Sequence, residues 1–249
     1  MNARAMGKLT AVEAKLFLRD PGAPIVVLGI PVALLAVFGL MPGASEPSED
    51  FGGQVPLDTF IAPLSISVLL AMLALTMFPG VMATYREKGV LRRLSASPVP
   101  PVRLLVAQLA VNLGAALVVL LLIVGFGSAV LDMALPANLG GFLLVTVLGT
   151  ISLFSVGLLI AALAPTGRAA GGIGAAVFFP MLALGGVWVR KEDLPEFLRP
   201  VADVLPMGST LNGMRETWTG GDPELLQLGA LVVVAVVCGG LAARFFRWE

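Results

Sequence analysis

Apolar residues run almost unbroken through six stretches of the chain, roughly 24–41, 57–83, 104–131, 139–164, 169–189 and 225–246, with polar residues collected between them. A bilayer span needs about 20 mainly apolar residues to cross the hydrocarbon at 1.5 Å of rise each. Each stretch is long enough to cross, so the pattern predicts an all-α membrane protein with six transmembrane helices.

The polar segments between the spans alternate in sign. The N-terminal segment carries Arg4, Lys8, Lys15 and Arg19; the loop after the second span carries Arg86, Lys88, Arg92, Arg93 and Arg103. With Arg168, Arg244 and Arg247, 12 of the 16 Lys and Arg residues lie on one side. On the other side lie 12 of the 16 Asp and Glu residues, among them Glu46, Glu49, Asp58, Asp132, Glu196, Glu216 and Glu224. Cationic loops stay in the cytoplasm, which predicts cytoplasmic N- and C-termini. A cleaved signal peptide ending near Gly43-Ala44-Ser45 is the competing reading of the first span. The long amphipathic segment before that span argues against it, since a signal peptide has a short basic lead.

Composition agrees with this class: 57% hydrophobic residues, 13% charged and a mean hydropathy of +0.95. The zero net charge conceals the asymmetry between the two sides. Cys238 is the single cysteine and there is no histidine, which excludes a disulfide framework, a zinc-protease motif and Ser-His catalysis. The one Gly-Lys pair, Gly7-Lys8, is followed by Leu9 and lacks the glycine of a phosphate-binding loop. Span interiors carry essentially no charged residue, as an ion-coupled carrier would need at membrane depth. What remains is a passive pore or a translocation path driven by a separate engine.

Two segments on the cationic side could meet such an engine. In segment 5–20, at about 100° per residue, Ala5, Met6, Leu9, Val12, Leu16 and Phe17 share one arc beside the cations, while Glu13 interrupts the arc. This fits an interfacial helix that either anchors the bundle or takes part in coupling. In segment 85–101, Gly89 breaks the exit from the second span, and Pro98, Pro100 and Pro101 enforce an extended return. Between them Val90, Leu91 and Leu94 form the apolar side of a short helix, with Arg92 and Arg93 facing away. A short helix between two rigid breaks is a lever on both flanking spans. The same cations equally fit a loop that only obeys the positive-inside rule.

The runs KLFLRDPGAPIVVLGIPVALL at 15–35, YREKGVLRRLSASPVPPVRLLVAQL at 85–109 and LPMGSTLNGMRETWTGG at 205–221 resemble the ABC-2 type permeases, the membrane subunits of bacterial ATP-binding-cassette exporters of the drug- and antibiotic-resistance type. The resemblance covers nearly the whole chain, 1–249, as one transmembrane domain. It implies a connecting helix at 5–20, a coupling helix within 85–101 and short outer helices at about 191–211 before the last span. Glu87, Val90, Leu91, Arg92, Arg93 and Leu94 would then meet the ATPase. It further implies cytosolic ABC ATPase subunits as partners, a second permease subunit, identical or different, surrounding membrane lipid, and no nucleic acid. This chain would bind no cofactor of its own, with ATP and Mg held on the partner subunit. The place would be the bacterial cytoplasmic membrane.

The outer segment carries Leu194, Phe197, Leu198, Val201, Val204 and Leu205 at helical spacing, broken by Pro195, Pro200 and Pro206. It reads as a re-entrant or interfacial hairpin, or as a surface loop. Trp188 and Trp218 suit the outer interface and Trp248 the inner one. Pro31, Pro63, Pro79 and Pro180 mark kinks, and Gly167, Gly171 and Ala175 form a ridge of small residues on the fifth span. Met72, Thr76, Phe178, Phe179 and Met181 are candidates for an apolar substrate path, although Phe and Met in a span also face lipid or core. The expected function is outward movement of a hydrophobic or amphiphilic compound. The alternative is a membrane scaffold, immunity or sensor subunit that transports nothing.

Overall fold

The computed structural model describes residues 3–19, 22–95, 102–185 and 195–246. They form ten helices, and the one strand-like pairing among them is a bridge between Ser48 and Gln54. The helices are α1 (Ala3–Arg19), α2 (Gly22–Gly39), α3 (Leu57–Glu87), α4 (Val90–Ser95), α5 (Val102–Val130), α6 (Leu139–Leu163), α7 (Gly167–Leu184), α8 (Arg199–Val204), α9 (Pro206–Trp218) and α10 (Leu225–Phe245). Five of them, α3, α5, α6, α7 and α10, are long and apolar enough to cross a membrane. The uncharged α2 has a shorter fully described apolar stretch, Gly29–Gly39. The edges lie close to those the apolar pattern predicts.

The bundle is arranged around α3. Its membrane-length stretch is 83% buried, against 28% for α5, 22% for α7 and 17% for α10. The outer helices turn rows such as Leu117, Leu121, Val233 and Val236 away from the protein, which in a membrane is the lipid side. Lipid tails are as apolar as these side chains, so close packing and backbone satisfaction hold such a bundle together more than water exclusion does.

The α3 backbone is interrupted twice in the same way. A π turn over Leu57–Ile61 precedes Pro63, and a second over Leu73–Met77 precedes Pro79. Proline has no N–H, so Pro63 cannot satisfy the Thr59 carbonyl, and Pro79 can satisfy neither Ala74 nor Leu75. The Thr59 oxygen accepts instead from Arg215 Nε of α9 at 3.1 Å. The other two oxygens are covered by glycines. A Cβ at Gly157 of α6 would collide with the Ala74 oxygen, and one at Gly174 of α7 with the Leu75 oxygen. Each glycine therefore sets its Cα against a buried carbonyl, a weak but favourable contact in hydrocarbon.

Glycine also sets the other close approaches. Gly167 lies against Thr84 of α3, while Gly149 and Gly141 of α6 lie against Thr210 and Thr217 of α9. On α7 the contact row is thus Gly167 and Gly174, two turns apart. Gly171 faces open space, which corrects the expected ridge through Gly171 and Ala175. Seven residues bring a helix back to nearly the same azimuth, which sets Gly174 in line with Gly167 along α3.

The outer hairpin runs further than 211. The described part, α8 and α9, continues to Trp218, while residues 186–194, including Trp188, Lys191 and Glu192, lie outside the described residues. Residues Met207, Ser209, Thr210, Leu211, Met214 and Thr217 of α9 are fully buried against α3, α6 and α7. Its hydroxyls return to the helix: Thr210 Oγ1 donates to Pro206 at 2.6 Å and Thr217 Oγ1 to Gly213 at 3.0 Å. Trp218 is 4% exposed, so it is a packing residue and not an interfacial anchor. Its ring meets Phe142 edge-on at 5.4 Å and its Nε1 donates to the Ala134 carbonyl at 2.9 Å.

Replacing Gly157 or Gly174 with Leu should drive a side chain into the α3 backbone and cost at least about 3 kcal/mol, where ordinary overpacking costs about 1–3. Gly171→Leu should be nearly neutral. Thermal unfolding of the detergent-solubilised variants, followed by loss of the monodisperse chromatographic peak, measures the difference; equal loss in all three would refute the contact.

Candidate functional site

The C-terminal end of α3 gathers five segments. Tyr85, Arg86 and Glu87 are consecutive, so on a helix they point in three directions about 100° apart and reach three neighbours. Tyr85 OH donates to Glu13 Oε2 of α1 at 2.7 Å. Gln108 Nε2 of α5 donates to the same oxygen. Arg86 donates to the carbonyls of Ala162, at 3.2 Å, and of Ala164, closing the C-terminus of α6. Glu87 Oε2 accepts from the Gly167 N–H at 3.0 Å, at the N-terminus of α7, where backbone donors and the helix dipole favour a carboxylate. Thr166 accepts from Ala169 N in the same first turn, at 3.1 Å.

Glu13 is the centre of this clamp. It is 4% exposed, the most buried described side chain of α1, while Val12 and Leu16 on the expected apolar side are exposed. The carboxylate that seemed to interrupt an amphipathic arc is what docks the helix. Lys8, Lys15 and Arg19 remain exposed. Two features of the sequence carry the signal: Tyr85 is the chain's only tyrosine, and Gln108 and Asn112 are polar and four apart on an otherwise apolar span. Asn112 Nδ2 donates to the Gln108 carbonyl at 2.8 Å.

Immediately beyond the clamp, Gly89 takes φ = +67° and turns the chain into α4. The short helix forms where the sequence places it. Leu91 is fully buried, Val90 and Leu94 are half-buried, and Arg92 and Arg93 are exposed. Arg93 folds back on the turn, donating to the Lys88 carbonyl at 3.0 Å and weakly to Gly89. Residues 96–101, with Pro98, Pro100 and Pro101, lie outside the described residues.

Towards the opposite end, a cavity of about 970 Å³ opens between α2, α3, α7 and the 41–56 loop. Three of the expected path residues, Met72, Phe178 and Phe179, line it together. Thr76 and Met181 do not: Thr76 Oγ1 donates to the Met72 carbonyl at 2.7 Å, and Met181 is 8% exposed within the core. Phe179 is half exposed and meets Phe178 edge-on at 5.5 Å. Beside the cavity, Arg215 is held on the Thr59 carbonyl and over the Phe60 ring at 5.3 Å.

Residues 5–218 match the ABC-2 type transporter family. The chain belongs to that family. No curated protein matches it. An ABC-2 chain is the membrane permease of an ABC transporter, a component that works with an ABC ATPase and is not itself one. The clamp therefore sits where α4, the candidate coupling helix, meets the permease body.

Tyr85→Phe leaves the buried Glu13 oxygen with one donor and should cost about 1–3 kcal/mol of stability. Adding Glu13→Leu should cost less in that background than in the unaltered protein, since the hydrogen bond to Tyr85 is already absent. Thermal unfolding of both single variants and the double variant measures the coupling; strictly additive losses would show that the two side chains do not interact.

Proposed function

We propose that this ABC-2 permease is one half of a dimeric exporter in the bacterial cytoplasmic membrane. ATP, with Mg, binds on separate cytosolic subunits and draws them together. The motion enters through α4, tilts α3 and α7, and a hydrophobic or amphiphilic compound leaves outward along the apolar cavity. The observation that carries this reading is the attachment of α4. It presents Arg92 and Arg93 outward, seats Leu91 in the protein and follows directly on the helix whose end holds α1, α5, α6 and α7.

Each part of the site has one task in this reading. Arg92 contacts the ATPase, and Arg93 stiffens the Lys88–Gly89 turn so that a push on α4 is not absorbed there. Glu87 and Arg86 pass the movement to the α6–α7 turn, and Tyr85 passes it through Glu13 to α1 and α5. The six-span count, with α2 as the first span and both termini cytoplasmic, follows from the charge asymmetry.

Arg92→Glu should lower ATP hydrolysis by the reconstituted complex about tenfold, as loss of one partner of a desolvated interfacial charge pair does. Arg93→Glu should lower it less, because its contacts lie within the chain. Membrane insertion should be unchanged in both. Hydrolysis unaffected by the double reversal would remove α4 from the coupling route and favour a scaffold or sensor subunit.

A further inference from the structure

The cavity has two chemical characters. Its walls are apolar, from Leu34 and Phe38 on α2 through Leu64 and Val68 on α3 to Phe178 and Phe179 on α7. Its mouth carries two carboxylates, Glu46 and Glu49, and among the described residues no Lys, Arg or Asp lines it.

Those carboxylates stand on an ordered loop. Leu57 N donates to the Ala44 carbonyl at 2.9 Å, which fixes the loop's two ends against each other, and Glu46 N donates to Gly43 at 3.3 Å in a local turn. Ser48 O accepts from both Phe51 N at 3.0 Å and Gly53 N at 2.9 Å, closing the short turn Glu49–Phe51. Gly52 at φ = +66° and Gly53 at φ = +78° complete the reversal in the left-handed region that glycine enters freely. Phe51 packs on Phe60 at 5.9 Å, so the tip of the loop is tied to α3. Both glutamates are exposed at the edge of the apolar space. Arg215, which stacks on Phe60, is not part of the lining.

We propose that this cavity selects an amphiphilic cation, its apolar body among the α2, α3 and α7 side chains and its positive group against Glu46 and Glu49. The assignment rests on reading the cavity as the cargo path and adds the sign of the charge. Carboxylates at a low-dielectric mouth focus a field that attracts positive ligands and repels negative ones. Phe51 beside them supplies ring electrons that also favour a cation. A bare divalent ion fits poorly: among the described residues no three acidic, Cys or His side chains converge as a metal site, and the space behind the mouth is apolar.

Tetraphenylphosphonium and tetraphenylborate are nearly equal in size and opposite in charge, and triphenylphosphine oxide is uncharged. Their binding to the full chain in phosphatidylcholine nanodiscs is measured by equilibrium dialysis, with empty nanodiscs subtracted. The phosphonium should bind at least about tenfold more tightly than the borate. The pair Glu46→Gln and Glu49→Gln should weaken phosphonium binding about tenfold and leave the uncharged compound unchanged. The charge-retaining pair Glu46→Asp and Glu49→Asp should keep the preference, which separates charge from any disturbance of the loop. Equal binding of both ions, or phosphonium binding indifferent to the Gln pair, would overturn the proposal while leaving the cavity as a path for apolar cargo. Binding of none of the three would overturn both readings, and cross-linking of Phe179→Cys between two chains would then identify a second copy as what fills the space.

Discussion

A helix in hydrocarbon must satisfy its own backbone, and α3 does not. Beside its two π turns, Pro63 and Pro79 withhold helical donors from the carbonyls of Thr59, Ala74 and Leu75, and an unsatisfied group in hydrocarbon costs several kcal/mol. The remainder of the bundle is placed by what covers them. Arg215 brings α9 to Thr59, Gly157 brings α6 to Ala74 and Gly174 brings α7 to Leu75. The helix richest in backbone defects is consequently the most buried, and three neighbours acquire fixed registers against it.

The same geometry joins the two ends of the molecule. At one end the Tyr85-Arg86-Glu87 run ties α3 to α1, α5 and the α6–α7 turn. Some turns of helix away, beyond the Leu75–Gly174 contact, α3 and α7 form walls of the apolar cavity. The close approach of Gly174 to Leu75 joins α3 to the helix that carries Phe178 and Phe179. π turns also give a helix a place to change its winding, so α3 is anchored rigidly at its end and adjustable within its span.

Much of this was legible in the sequence, and the remainder shares one physical cause. Span positions, the break at Gly89, the α4 helix and its outward arginines follow from local rules of apolar length, glycine and helical period. Met72, Phe178 and Phe179 line one cavity while Thr76 and Met181 lie elsewhere, a division set by how α3 and α7 pack. Glu13 reads locally as a flaw in an amphipathic arc, because its partners lie on α3 and α5, 72 and 95 residues away. Pro63 and Pro79 announce missing donors, but nothing local says that Arg215 or a glycine will answer them. Gly171 and Gly174 are indistinguishable by composition; only the azimuth set by Gly167 against Thr84 selects between them. The burial of α9 and Trp218 likewise depends on small residues of α6 that meet them from elsewhere in the chain.

The central claim is that α4, the end of α3 and the α6–α7 turn move as one body. Spin labels placed by cysteine at Arg92 and Arg168, both exposed, in a Cys238→Ser background report that distance directly. Pulsed electron resonance of the assembled transporter, compared between nucleotide-free and ATP-trapped states, should give the same distance distribution in both. A shift or broadening of several Å between the two states would mean that α4 moves independently of the clamp, and would contradict the account.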